Sequence, residues 1–282
     1  MKFQPTRRIG GKGPAPHQFT RALRGVGLDD QGRLHAVGDA AVKVFDAEGG
    51  LVRQWATGLP GECVAIDGSG NVWVGQKEQV EIYSPEGELR DTWRDPGTLG
   101  LVTAIGFGRG GDVYLADATA RWVRRYDREG QLLNNIGDQH RKGGFHIPNG
   151  AVDFAVDEAG IVHVANPGMH RVERYSPAGE LLGRFGRFDG QDPAGFGGCC
   201  NPTNLTLDDA GRVIVSEKAG PRVKVYDAEG SFLGVVAADV FDPTAKNMDL
   251  ATDDSGRLYV ADTATLEIHV FERSPIRGGG AS

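Results

Sequence analysis

The sequence predicts an all-β chain folded as a six-bladed β-propeller of four-stranded antiparallel blades. Three observations carry that prediction. One short pattern occurs six times along the chain, glycine recurs at fixed turn positions, and the strand that the last repeat lacks is found at the N-terminus. Glycine supplies 43 of the 282 residues, roughly twice ordinary usage, while the hydrophobic content is ordinary. The excess therefore points to tight turns rather than to disorder.

The first two strands of each repeat lie in GVGLDDQGRLHAV, CVAIDGSGNVWVG, TAIGFGRGGDVYLAD, DFAVDEAGIVHVAN, NLTLDDAGRVIVSE and DLATDDSGRLYVAD. Their turn glycines are Gly32, Gly70, Gly111, Gly160, Gly211 and Gly256, spaced 38, 41, 49, 51 and 45 residues apart. A third run follows each (VKVFD, VEIYS, VRRYD, VERYS, VKVYD, IHVFE). Five repeats then carry a second turn, DAEG, SPEG, DREG, SPAG and DAEG, and a fourth run such as LLGRFG. Short stretches rich in Val, Ile, Tyr and Phe between Gly, Asp and Pro read as strands joined by hairpins. A four-stranded meander cannot bury both faces alone, so repeats of this length stack radially.

The ends define the closure. The sixth repeat stops after its third strand, with Pro275 where a turn glycine is due. TRRIG, ending at Gly10, is an orphan fourth strand, and Gly10 to Gly32 is 22 residues against 23 from Gly137 to Gly160. The register places the N-terminal strand in the last blade, which removes the open edges. One domain over residues 1–282 is expected, with blade 6 made of 246–273 plus strand 2–10, and 274–282 as a flexible tail.

GRLYVAD (from Gly256), GDVYLAD (from Gly111) and PRVKVYDAEG (from Pro221) resemble the repeat of the NHL family of β-propellers, and the resemblance runs over nearly the whole chain. It implies the six-bladed fold. For function it leaves open a binding scaffold, a sensor, or a metal-dependent lyase or lactonase.

Loop lengths indicate a functional face. The first turn glycine lies 17 or 19 residues from the second, whereas the second lies 21, 24, 30, 32 and 26 residues from the next repeat. Nearly all the variation thus lies in the connection from the outer strand of one blade to the inner strand of the next. This long-loop face is where a rigid scaffold carries its binding residues. The loops GDQHRKGGFHIPNG and GRFDGQDPAGFGGCCNPT direct attention to blades 3 to 5.

Asp29, Asp67, Asp157, Asp208 and Asp253 stand three residues before a turn glycine and read as turn-holding side chains, and Asp117 and Asp262 as structural. His35 and His163 share a strand slot with Trp73, Tyr114 and Tyr259, which predicts half-buried residues. Seven residues before the turn glycine stand Gly25, Cys63, Ala104, Asp153, Asn204 and Asp249. The last three are oxygen donors on successive inner strands, a candidate site for a divalent cation such as Ca²⁺ or Zn²⁺. Lactonase-type propellers use comparable ligands. Their Asn-Gly pattern is matched here by Asn149–Gly150, while the absence of inner-strand histidines argues against a hydroxyglycine lyase. His146 and Glu217 are the candidate proton carriers. Cys199, Cys200, Asn201, Lys218, His170 and Arg171 are candidate ligand-binding residues. The adjacent cysteines fit a vicinal disulfide, a soft-metal pair with His146 or His170, or a packed reduced pair.

Two functions follow: a propeller that binds a small molecule or protein partner on its long-loop face at the channel mouth, or a metal-dependent lyase or hydrolase acting there. The net charge of −7 disfavours nucleic acid, although Arg121, Arg124, Arg125, Arg171 and Arg174 form a basic flank. No apolar run has the ~18 residues of a membrane span. The start lacks a signal-peptide pattern, which gives a cytoplasmic reading as written and a periplasmic or secreted one if a leader has been removed. A monomer is expected.

Overall fold

The computed structural model describes residues 3–140 and 143–273. The expected tail 274–282, with Pro275, and residue 2 of the expected first strand lie outside the described residues. Among the described residues the regular structure is all strand, apart from one 3₁₀ turn at Pro167–Met169.

The first strand is β1 (Phe3–Gly10). Blade 1 follows as β2 (Gly25–Leu28), β3 (Leu34–Gly38), β4 (Ala41–Phe45) and β5 (Leu51–Ala56). Blade 2 is β6 (Cys63–Ile66), β7 (Val72–Gly75), β8 (Gln79–Tyr83) and β9 (Leu89–Arg94). Blade 3 is β10 (Val102–Phe107), β11 (Val113–Asp117), β12 (Trp122–Tyr126) and β13 (Leu132–Ile136). Blade 4 is β14 (Asp153–Val156), β15 (Val162–Asn166), β16 (Arg171–Tyr175) and β17 (Leu181–Phe185). Blade 5 is β18 (Asn204–Leu207), β19 (Val213–Glu217), β20 (Arg222–Tyr226) and β21 (Phe232–Ala238). Blade 6 is β22 (Leu250–Thr252), β23 (Leu258–Asp262) and β24 (Glu267–Arg273), completed by β1 in the order β1-β24-β23-β22.

The closing ladder runs antiparallel from Phe3↔Arg273 to Gly10↔Glu267. Ile9 on that strand is buried against Phe19, Leu266 and Ile268. The inner strands β2, β6, β10, β14, β18 and β22 touch in order and β22 meets β2, so the ring closes. The second strand of every blade is buried throughout its length. This is why runs such as VIVS and LYVA are apolar without alternation, each being covered on both faces by neighbouring blades. Outer strands such as β5 alternate in burial or stay exposed.

The turn aspartates act as expected. Asp208 Oδ1 accepts from the backbone N–H of Ala210 and Arg212, and its Oδ2 from Arg212 Nε at 2.6 Å. Asp29, Asp67, Asp157 and Asp253 repeat the arrangement. His35 and His163 lie deeper than the half-burial expected, at 1% exposure each. Their Nε2 atoms reach Asp29 and Asp157 at 3.0 and 3.1 Å, a hydrogen bond that offsets the cost of burying the ring's polar edge.

A second repeated device fixes the long loops. The third strand of every blade carries a buried polar residue at its third position: Lys43, Glu81, Arg124, Glu173, Lys224 or His269. Each holds the loop leading into its own blade. Lys43 Nζ donates to Pro16 O at 2.6 Å, and Glu81 Oε2 accepts from Gly58 N at 3.0 Å. Arg124 donates to Thr98 O, and Glu173 meets His140 at 3.0 Å. Lys224 donates to Gly195 O, and the His269 ring packs on Phe241 at 5.2 Å. A buried charge needs a partner: Arg124, Glu173 and Lys224 find opposite charges within their own blades in Asp117, Arg171 and Glu217, and the loop adds a further contact.

Candidate functional site

The six inner strands enclose an axial channel with a cavity of about 310 Å³. A second cavity of about 490 Å³ opens above it on the long-loop face. Asp249 and Thr103 line both cavities, so they stand at the boundary between channel and mouth. Arg21, Arg24 and Lys246 border the mouth, with Glu62, Asn204 and Asp249 among its acceptors. Across it, Asn149 Nδ2 donates to Asn247 Oδ1 at 2.9 Å, joining the loops that lead into blades 4 and 6.

The structure brings Asp153, Asn204 and Asp249 together. Asp153 Oδ2 accepts from the backbone N–H of Leu205 at 2.7 Å, tying blade 4 to blade 5. Asp249 Oδ2 accepts from Val26 N at 2.8 Å and its Oδ1 from Leu250 N at 2.9 Å, tying blade 6 to blade 1. The Asn204 side chain stands beside both carboxylates and tempers the rise in their pKa, while its Oδ1 is buried without a hydrogen-bond partner. Burial pushes the Asp249 carboxyl up to about 6. Burial and the negative charge of Asp249 lift Asp153 well above the carboxylate range, and burial with the same two carboxylates lifts the Cys63 thiol. Burial and mutual repulsion thus favour the protonated form of this carboxylate pair.

The other candidates lie elsewhere. Glu217, expected as a proton carrier, is 1% exposed. It is clamped between Arg222 and Lys224, the latter at 3.0 Å, because β19 turns it into the layer between blades. The His146 ring rests on Gly168 O at 3.2 Å. His170 stacks edge-on against Phe188 at 4.9 Å, and Arg171 Nε donates to Glu173 at 2.6 Å. Neither His146 nor Glu217 lines the mouth, nor do Cys199, Cys200, Asn201, Lys218, His170 or Arg171. Among the described residues, no group of three or more His, Cys, Asp and Glu is placed to hold a metal ion. In the basic flank, Arg124, Arg125 and Arg171 are paired with Asp117, Asp112 and Glu173. No helix among the described residues is long and apolar enough to cross a membrane.

The mouth thus draws on loops entering blades 6, 1 and 2, beside the longer ones of blades 3 to 5 that loop length singles out. Arg24, Glu62 and Lys246 went unmarked because length ranks loops by size and not by their distance from the axis. The signal that locates them is their place just before an inner strand: Arg24 precedes Gly25, Glu62 precedes Cys63, and Lys246 lies three residues before Asp249.

No family model matches the chain. It is 25% identical over 231 residues to NHL repeat-containing protein 3 of Homo sapiens, a match covering 76% of this chain and 65% of that protein. It is 24% identical over 122 residues to protein brain tumor of Drosophila melanogaster, across 43% of this chain and 11% of the relative. The chain therefore spans less than two thirds of the length of either. Among solved structures, virginiamycin B lyase from Staphylococcus aureus superposes with a TM-score of 0.66 over 96% of this chain and 100% of that one. At 9% identity, that likeness shows the fold alone.

Proposed function

We propose that this chain, an NHL-repeat six-bladed propeller, is a binding module that takes a small molecule or a protein segment at the channel mouth on its long-loop face. The observation that carries the reading is the mouth cavity of about 490 Å³ bordered by Arg21, Arg24 and Lys246, with Asn204 and Asp249 among the residues lining it. Cations beside buried and half-buried oxygen acceptors select a ligand that presents an anionic group to one and a hydrogen-bond donor to the other. An amino acid or the terminus of a peptide has that pairing. The test is a thermal-shift and calorimetric comparison of wild type with Lys246→Glu against amino acids and short acidic peptides. Binding by wild type that the variant loses, with unchanged melting, supports the reading. Equal binding by both moves the site away from the mouth.

One observation favours a second reading, a metal-dependent lyase or hydrolase. The unpartnered Asn204 Oδ1 beside the Asp153 and Asp249 carboxylates is a donor set suited to a hard cation. These three residues would hold it, and the ion would supply charge stabilisation for a developing oxyanion. His146 and Glu217 do not reach that point, so this reading needs another proton carrier. Titrating Ca²⁺ and Zn²⁺ separately near pH 6 tests it: binding that releases protons and weakens in Asp249→Ala supports the site, and heatless titrations reject it.

A further inference from the structure

We infer that Cys199 and Cys200 form a redox site, a reduced pair held ready to close into a vicinal disulfide by exchange with a small-molecule or protein disulfide. The two Sγ atoms face each other in direct contact, on a pair of free cysteines. Nothing in a free Cys-Cys dipeptide enforces such closeness, since its side chains fan apart along an extended chain. Here the backbone enforces it. Gly198 has φ +67° and Cys200 has φ +66°, the left-handed region that a cysteine occupies only when its surroundings compel it.

The surroundings are a clamp. Asn201 Nδ2 donates to Gly197 O at 2.7 Å and to Lys218 O at 2.8 Å. Asn201 Oδ1 accepts from the Lys218 backbone N–H at 2.8 Å. The dipeptide is thus bracketed by Gly197 and Asn201, the first fastened to the second and the second to the turn after β19. A Cβ placed on Gly198 would meet the Ala219 Cβ at 3.2 Å, so that flank admits little beyond glycine.

Exposure divides the labour. Cys199 is exposed, whereas Cys200 is 4% exposed. Burial and the bond to Cys199 raise the Cys200 thiol, leaving Cys199 as the accessible attacking group. The Cys199 thiolate attacks one sulfur of the external disulfide RSSR, forming the Cys199–S–S–R bond and expelling RS⁻. Cys200 then loses its proton and attacks Cys199 Sγ, closing the ring and expelling the second RS⁻. The protein loses two electrons and two protons, and RSSR becomes two RSH. Cys63, buried on the channel side beneath Val102 O at 3.7 Å, takes no part.

The test exposes purified protein to oxidised glutathione, quenches with acid, then alkylates in denaturant without reductant and measures intact mass. The expected result is a loss of two hydrogens, with alkylated cysteines falling from three to one and the remaining label on Cys63. Dithiothreitol should restore all three. Cys200→Ser should stop at a glutathione adduct on Cys199, which separates the attacking from the resolving thiol. Three labelled cysteines after oxidant, or a glutathione adduct that persists on wild type, overturns the inference. The wild-type measurement stands even where a variant fails to fold.

Discussion

Asp249 accepts a hydrogen bond from the backbone N–H of Val26 at 2.8 Å, although 223 positions separate the two residues. One carboxylate oxygen thereby spans the closure of the ring, where blade 6 meets blade 1. The same side chain borders the mouth cavity, so closure and candidate site share an atom group.

That sharing makes stability depend on pH. Burial lifts the Asp249 carboxyl to about 6 from 3.8. Between those values the folded chain keeps a proton that the unfolded chain has released. The stabilisation is complete below pH ~4 and is lost as pH rises through ~6. Asp249→Asn keeps an oxygen for Val26 and removes the titration. The melting temperature of wild type should fall relative to the variant from pH 4 to 7. Parallel profiles would show that Asp249 ionises freely.

The closure itself is tested at Ile9, which is 4% exposed and packs against Phe19, Leu266 and Ile268. Ile9→Ala should cost about 2–4 kcal/mol through the cavity it leaves. Removing residues 3–10 should lower the melting temperature further and promote association through the bared edge of β24. Equal melting of full-length and shortened chains in a calorimeter would contradict a closing role for β1.

Blade number, strand order and closure were legible because turn chemistry repeats: Asp, then Gly three positions on, five times over. The oxygen donors Asp153, Asn204 and Asp249 were legible because a structural register fixes them to equivalent points on neighbouring inner strands. Glu217 was not, since a charged residue at a strand end reads alike whether it faces solvent or, as here, Lys224 in a buried layer. The loop-holding series Lys43, Glu81, Arg124, Glu173, Lys224 and His269 was present in the third runs as a polar residue between apolar ones. Its meaning required the loops, whose paths no local pattern encodes.

Glu217 and Lys224 supply the third prediction. Both are almost fully buried, 3.0 Å apart. Glu217→Gln leaves Lys224 without its counter-charge and should destabilise by about 3–5 kcal/mol. Adding Lys224→Met to it should recover much of that loss, because no buried charge is then left without its partner. Chemical denaturation of the two variants decides the matter. A single variant as stable as wild type would mean that Glu217 is free for another role.

The fourth prediction concerns the loop leading into blade 4. His140 Nε2 lies 3.0 Å from Glu173 and 2.9 Å from the Tyr175 hydroxyl. Burial alone would raise the Glu173 carboxyl, but the hydrogen bonds from His140 and Tyr175 and the charges of His140 and Arg171 hold it at about 2. A carboxyl depressed on folding stabilises above its unfolded value of ~4.3, and that stabilisation is lost as pH falls toward ~2. His140→Ala removes one donor while Arg171 and Tyr175 remain, so the variant should lose about 1–3 kcal/mol at neutral pH and less in acid. The loop should loosen before the blade does. The Phe145 N–H, which donates to Arg121 O at 2.6 Å, reports on it: its hydrogen exchange should quicken in the variant while amides of β15 and β16 stay protected. Unchanged exchange at Phe145 would mean that packing against Tyr175, 6.0 Å between ring centres, holds the loop without help from the histidine.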